Sequence, residues 1–405
     1  MTRWSRFAAI ALAAALAAAC VQGDDDRAGD GDGDGLADPG DCIVVDVAVS
    51  SEKIQLLSEL AEDFNASDEA EVDGECAFVR VQSKPSGGAA QLLAHGWDEV
   101  TEGPRPVIWS PAASSWGAVL NQLLADEGEP PMAGEFTSFM LTPLVIAMPE
   151  PMAQALGWPD EPIGFADILA LSRDQAGWAS YGHPEWGQFR LGKTNPSFST
   201  SGLSALVAQA YAATGKTSGL SIEDLADPAT AEFARGVESS VVHYGDITMT
   251  FLNNWFRADQ RGNPYGYVSA VAVEEKSVID YNRGDPDGVL EEGEEPRPPR
   301  VPLVAIYPKE GTLYSDNPLY VLDAPWVDAA QAEAAERFIE FVQLPENQEK
   351  VNEFGFRPGN LDVPIDAPID AEHGVDPDQP QTLLEVPEPA VLARLLADWE
   401  DQRKP

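Results

Sequence analysis

The chain has 405 residues, 44% hydrophobic, 8% aromatic and 23% charged, proportions that exclude global disorder, a collagen-like repeat and a disulfide-dense miniprotein. Sixty-eight Asp and Glu stand against 25 Lys and Arg, a formal net charge of −43. Such a field repels nucleic-acid phosphates and anionic membrane surfaces, so neither is expected as a partner, while a small anion held by a few local donors stays open.

At the amino terminus, Arg3 and Arg6 precede an apolar run, Phe7 to Ala19, too short to span a membrane as an ordinary helix. The run closes in Leu16-Ala17-Ala18-Ala19-Cys20 and resembles a bacterial lipoprotein signal, with its large apolar residue one place further upstream than usual. The resemblance implies a signal peptide over 1–19. It also implies that Cys20 becomes the lipidated first residue of an exported protein, held to the cell membrane on its periplasmic or extracellular face through that lipid only. A plain secretory signal cut after Ala19 is the alternative. No later stretch is long and apolar enough for a second membrane segment.

Residues 20–41 read as an acidic tether with almost nothing to bury. Within it Asp30, Asp32, Asp34, Asp38 and Asp41 fall at the ligand spacing of a calcium loop, with Gly35 at the sharp turn. The segment looks like the calcium loops of thrombospondin-type and dockerin-type repeats, but in one copy and ending in Asp instead of Glu. A solvated spacer is the expectation and weak calcium binding the alternative; no other cofactor is expected.

Cys42 and Cys76 remain as an even pair in an oxidising compartment. Each stands at the start of a β-type run, Ile43–Val49 and Ala77–Val81. If those runs are neighbours in a βαβ unit, their starting ends lie side by side and a disulfide is feasible. Closing that loop adds about 3–4 kcal/mol by the chain-entropy estimate.

From Ile43 the pattern alternates in type. After the first strand, Glu52–Asn65 has helical spacing through Ile54, Leu57, Leu60, Ala61 and Phe64. The second strand is followed by a helix over Gly88–Gly96, a short strand at Pro106–Trp109, a helix over Ser115–Ala125 and an apolar strand at Leu141–Met148. The middle third gives a helix near Phe165–Leu171, an extended Phe189–Thr194, and helices over Thr200–Ala213, Ala229–Ser240 and Thr248–Asp259. Tyr267–Val273 and Val301–Tyr307 read as strands, separated by a charged, proline-rich Asp285–Arg300 that reads as an exposed hairpin loop. Helices over Ala329–Val342, Glu346–Phe354 and Ala390–Gln402 complete the chain. Strands alternating with helices indicate α/β architecture, with parallel sheets covered on both faces.

Three strand-to-helix junctions in the first part carry small hydroxyl residues and glycine: Ser50-Ser51, Ser86-Gly87-Gly88, and Ser110-Pro111 with Ser114-Ser115. A fourth, Asn195-Pro196-Ser197-Phe198-Ser199-Thr200-Ser201-Gly202, precedes the long middle helix. In a parallel sheet such junctions share the edge beyond the strand carboxyl ends, where ligands bind and helix amino termini present unpaired N–H groups. Any one junction alone reads as a helix cap; their convergence would surround a small polar or anionic ligand. Ser50, Ser51, Ser86, Gly87, Ser110, Ser199, Thr200 and Ser201 are therefore the candidate ligand contacts. Lys84, Lys193 and Arg257 are candidate charge partners. Trp109, Trp116, Trp186 and Trp255 are either aromatic cleft walls for a sugar or organic cation, or packing.

These stretches together resemble the extracellular solute-binding proteins of the type II periplasmic-binding-protein family. Val47-Ala48-Val49-Ser50-Ser51 with Glu62-Asp63-Phe64-Asn65 looks like their first βα unit, and Lys84 to Leu93 like their second, with the serine-glycine turn of the oxyanion-binding branch. Trp109-Ser110-Pro111 with Trp116 matches the third junction, Ile306 to Thr312 the return to the first lobe, and Ala334–Val342 with Gly355-Phe356-Arg357-Pro358 the closing helices. The region is also similar to the solute-binding-like part found beside von Willebrand factor A domains in some bacterial surface proteins, although Asp46 to Ser50 matches that domain's metal-site spacing only loosely.

The resemblance implies two lobes, each a mainly parallel sheet flanked by helices, with the cleft between them. Residues 42–143 and 307–405 would form lobe 1 and 144–306 lobe 2. It also implies capture of a small polar or oxyanion solute, by a monomer, for an ABC permease. A surface assembly protein that uses the same fold to bind a protein partner is the alternative. Catalysis is not expected: there is no Gly-x-Ser-x-Gly elbow or phosphate-binding glycine loop, and His95, His183, His243 and His373 lack metal-ligand spacing.

Overall fold

In a computed structural model, the structure describes residues 38–288 and 295–403. The signal segment, Cys20 and Asp30, Asp32 and Asp34 of the acidic loop lie outside the described residues, and Asp38 accepts the Gly40 N–H at 3.0 Å.

The first sheet is built on β1 (Ile43–Val49), β2 (Glu75–Ser83) and β3 (Ile108–Ser110). Valine and isoleucine fill β1 because both of its faces are covered. It lies between β2 and β3 and runs parallel to both, with Ile43 opposite Ala77 and Val47 opposite Ile108. The starting ends of β1 and β2 are thereby adjacent, and Cys42 and Cys76 form a disulfide there, Cα to Cα 4.7 Å. Helix α1 (Ile54–Asn65) buries Leu56, Leu57, Leu60 and Phe64 on one face of the sheet. Helices α2 (Ser86–His95) and α3 (Ser115–Glu127) cover the other face, against Ala48 and Trp109.

Strand β4 (Met140–Pro149) leads into the second sheet, which adds β5 (Leu191–Thr194), β6 (Val241–Gly245), β7 (Ala270–Glu274) and β8 (Leu303–Ile306) in the order β8-β4-β7-β5-β6. Helices α4 (Thr200–Thr214), α5 (Thr248–Gln260) and α6 (Glu275–Arg283) follow β5, β6 and β7. This sheet is more mixed than the strand–helix alternation predicts. β5, β6 and β7 are parallel neighbours, but β4 runs antiparallel to both β7 and β8 because it enters, and β8 leaves, at the crossing between lobes. The chain re-enters the first sheet through β9 (Pro318–Val321), antiparallel to β3, and then forms α7 (Ala329–Val342) and α8 (Pro345–Glu353). Phe338, Ile339 and Val342 of α7 join the α1 side of the first core.

After Pro358 the chain does not stay with the first lobe, as a 307–405 segment would. Ile369 and Val375 pack into the core of β4, β7 and β8. The last helix, α9 (Pro389–Arg403), rests on α3 of one lobe and α4 of the other. The tail is placed by the apolar residues it brings: Leu392 and Leu395 are buried in a core shared by both lobes. No helix among the described residues is long and apolar enough to cross a membrane.

Candidate functional site

The carboxyl ends of β1 and β2, the loop after β3, and the carboxyl ends of β5, β6 and β7 meet at one cavity of about 30 Å³. Its walls come from both lobes. The first contributes Ser50, Ser51 and Glu52, Ser86 at the start of α2, and Ala112; the second contributes Phe198 to Thr200, Thr248, and Glu274 with Ser277. The amino-terminal turns of α2, α4, α5 and α6 all border it, so their positive dipole ends gather at one place. Larger hollows of about 500 and 670 Å³ lie elsewhere, under α9 and beside Tyr307, and neither collects these junctions.

Five of the eight expected contacts line the cavity: Ser50, Ser51, Ser86, Ser199 and Thr200. Ser86 Oγ accepts the Ala112 N–H at 3.0 Å and the Thr200 hydroxyl at 3.4 Å. Thr200 Oγ1 in turn accepts from Trp116 Nε1 at 2.8 Å. The Gly87 N–H donates to the Phe198 carbonyl at 3.1 Å. These bonds join the second and third junctions of the first lobe to the α4 junction of the second.

The other three residues stand behind the wall. Ser110 is fully buried and donates to the Pro318 carbonyl at 2.7 Å, which ties β3 to β9. Ser201 shares a buried hydroxyl cluster with Thr194 (2.7 Å), Ser199 (3.0 Å) and Thr248 (2.8 Å), where it orders the junction. Gly87 supplies clearance: a Cβ there would stand 2.2 Å from the Ser197 carbonyl oxygen and 2.9 Å from Phe198 Cα.

None of the three basic candidates faces the cavity. Lys84 pairs with Glu102 at 2.8 Å, Lys193 pairs with Glu238 at 2.5 Å, and Arg257 is exposed on α5. Trp109, Trp116 and Trp255 are packing residues, fully buried, of which Trp116 alone reaches a cavity-lining side chain. Asp46, the start of the loose metal-type spacing, is bound to Arg80 at 2.8 Å.

Four polar cavity residues escape a reading of the sequence: Glu52, Thr248, Glu274 and Ser277. Ser50 donates to Glu52 Oε1 at 2.5 Å, and Thr248 donates to Glu274 Oε2 at 3.4 Å. Burial, with the Glu52 charge adding to it, pushes the Glu274 carboxyl up to about 8. Lys53, next to Glu52, turns away into the first lobe and donates to the Pro111 carbonyl (2.9 Å) and Asn317 Oδ1 (3.0 Å). Burial lowers it to about 7. Among the described residues no group of three or more His, Cys, Asp or Glu is arranged to hold a metal ion. The arrangement is suited to holding a small polar group through hydroxyls, helix amino termini and two carboxyl groups.

Beside Glu274, Glu275 is completely buried and receives a two-pronged bond from Arg357, at 2.8 and 2.7 Å, plus the Tyr307 hydroxyl. Arg357 lies opposite Leu141 on the first half of β4, where the chain passes between lobes. The same turn of α6 donates the Lys276 N–H to Thr142 Oγ1 at 3.2 Å.

Solved structures of the same fold include several binding proteins. A ferric binding protein from Campylobacter jejuni aligns with a TM-score of 0.56 at 9% identity, over 88% of this chain and 97% of that one. The periplasmic binding protein AfuA from Actinobacillus pleuropneumoniae, with fructose-6-phosphate bound, gives 0.55 at 12% identity, over 88% and 97%. A periplasmic thiamin binding protein gives 0.54 at 14%, over 89% and 96%. At such identities the likeness speaks to the two-lobed α/β fold alone. A comparison with curated protein sequences finds no match. The family model of bacterial extracellular solute-binding proteins matches residues 45–357, from the third residue of β1 to the Arg357 crossing. The chain belongs to that family of extracellular solute-binding proteins.

Proposed function

We propose that this protein is an extracytoplasmic receptor that captures a small polar solute between its two lobes and delivers it to an ABC importer. In this reading a lipid on Cys20 holds it to the membrane as a monomer, with the acidic segment to residue 41 as spacer. One observation carries the proposal. Strand ends and junctions from both lobes meet at a single cavity, and the bonds between lobes run through the hydroxyl and glycine junctions themselves.

The test is thermal unfolding of the full-length protein, purified in mild detergent, against oxyanions, sugars, amino acids and small cations. A solute at 100 times its dissociation constant stabilises by about 2.7 kcal/mol. One chemical class should raise the midpoint, and Ser86→Ala with Thr200→Val should abolish the rise. A rise that survives in this double variant would place the solute elsewhere and refute the cleft.

A further inference from the structure

Hydroxyls and helix amino termini leave the ligand's charge open, and the carboxyl groups decide it. Glu52 enters the cavity from the first lobe and Glu274 from the second. No lysine, arginine or histidine is among the described residues that line it. The nearby basic groups are engaged elsewhere: Lys53 with Pro111 and Asn317, Lys84 with Glu102, Lys193 with Glu238, Lys276 with Asp280. Of the lining hydroxyls, Ser50, Thr248 and Thr200 donate to Glu52, Glu274 and Ser86, while Ser51 and Ser86 act as acceptors, from Ser83 and from Ala112 and Thr200. A doubly charged oxyanion would therefore meet the Glu52 carboxylate with no side-chain cation to offset it.

A second, independent feature adds an acceptor. Ser277, 8% exposed, lines the cavity in the first turn of α6, and among the described residues its hydroxyl has no hydrogen-bond partner. Two carboxyl groups and one free hydroxyl supply three acceptor positions from both lobes, the number a primary ammonium requires for its three N–H donors. A hard metal ion takes six or more oxygens, and no cluster of three acidic or metal-ligating residues is present among the described residues.

Resting on the solute-receptor reading above, we infer that the captured solute carries a compact protonated amine, held between Glu52 of the first lobe and Glu274 of the second, with Ser277 as third acceptor. Closure then brings the two carboxyl groups onto one positive charge, which offsets the repulsion they otherwise exert on each other. Binding draws a proton off Glu274. Facing it are Glu52 across the cleft and, on its own helix, Glu275 and Lys276. Those two are paired away with Arg357 and Asp280, so Glu274 is the group that titrates with the ligand.

The experiment measures binding of methylamine, ethanolamine and putrescine to the full-length protein by calorimetry from pH 6 to 9. Calcium, manganese, sulfate, phosphate and molybdate are run in parallel. The inference expects an amine to bind, with affinity rising up to tenfold per pH unit toward pH 8 and levelling above it. Glu274→Gln should weaken binding about 10- to 100-fold and remove the pH slope; Glu52→Gln should weaken it similarly and keep a slope. Folding of each variant is checked by its unfolding midpoint. Binding of an oxyanion or a metal ion that is lost in Ser86→Ala with Thr200→Val overturns the amine and leaves the receptor reading intact. Amine binding unchanged in Glu274→Gln also overturns it. A panel with no binding at all counts against both.

Discussion

Gly87→Ala tests whether closure of the lobes is part of binding. Gly87 sits in the first turn of α2, where alanine is the better helix former, so the first lobe keeps its own fold. The added Cβ meets the other lobe at Ser197 O (2.2 Å) and Phe198 Cα (2.9 Å), and within its own lobe the end of the Trp116 ring at 2.7 Å. Two of these three contacts are backbone, which cannot swing aside. Relief requires the α4 junction to retreat by about 1 Å, which also breaks the Gly87 N–H bond to Phe198 O. Overpacking of this kind costs about 1–3 kcal/mol and the lost bond about 1 kcal/mol. The closed state is then disfavoured by about 2–4 kcal/mol, and affinity falls roughly 30- to several-hundred-fold. Calorimetry with the solute found by thermal screening measures the affinity, and solution X-ray scattering reports whether the lobes have parted. Unchanged affinity with an unchanged scattering profile would refute closure through this contact.

Three further outcomes follow from the same geometry. Replacing Cys42 and Cys76 by serine opens a loop with a sequence separation of 34; chemical denaturation should show a loss of about 3–4 kcal/mol, and equal stability would remove the disulfide's structural role. Arg357→Met leaves Glu275 charged and buried at the crossing between lobes, so unfolding free energy should drop by about 3–5 kcal/mol, with most of the loss recovered when Glu275→Leu is added. The Glu274 carboxyl, ordinarily near 4.5, is raised to about 8 in the folded protein. Its stabilising contribution is therefore complete below pH 4.5 and is lost as pH rises through 8. The stability of the protein minus that of Glu274→Gln should decline across that window, by a few kcal/mol at most. Lys53, lowered to about 7, acts in the opposite direction above neutrality in both proteins and cancels from the difference.

Local pattern carried much of this molecule. Valine-rich β1, the Leu57–Leu60–Phe64 stripe of α1 and the paired cysteines each follow from period and neighbourhood, and the structure has them together. The serine and glycine junctions were legible because a parallel sheet sends every such junction to one edge. Which hydroxyl faces the cavity was not. Ser110 and Ser86 have the same chemistry, yet β9 pairs with β3 and takes the Ser110 hydroxyl, an event 208 residues away in sequence. Strand β6 escaped because it is an edge: Val242 and Tyr244 remain exposed, so little apolar periodicity marks it. Glu274 was hidden by composition. In a chain with 68 acidic residues one more glutamate carries no weight, although its place, directly after the apolar run Ala270–Val273 and at the carboxyl end of a strand, is the signal that could have found it.

Adjacent glutamates at the start of α6 connect the cleft to the crossing. Glu274 ends β7 and faces the cavity, while Glu275, one residue on, is fixed by Arg357 and Tyr307 against the segments that carry the chain from lobe to lobe. The Lys276 N–H on Thr142 completes the attachment to β4. A change in the position or charge of Glu274 should therefore be felt at the crossing between the lobes, since a buried two-pronged ion pair has one good geometry and tolerates little displacement. This makes the two carboxyl groups unequal in a way that substitution can separate. Removing the Glu274 carboxyl should alter affinity and raise the unfolding midpoint near neutral pH, because the folded state there keeps protonated a group that ionises on unfolding. Removing Arg357 should lower the midpoint sharply and change affinity as a consequence of a loosened crossing. If instead both substitutions acted on affinity alone, the crossing would be rigid without the ion pair, and the lobes would be held by α9 and the sheet strands.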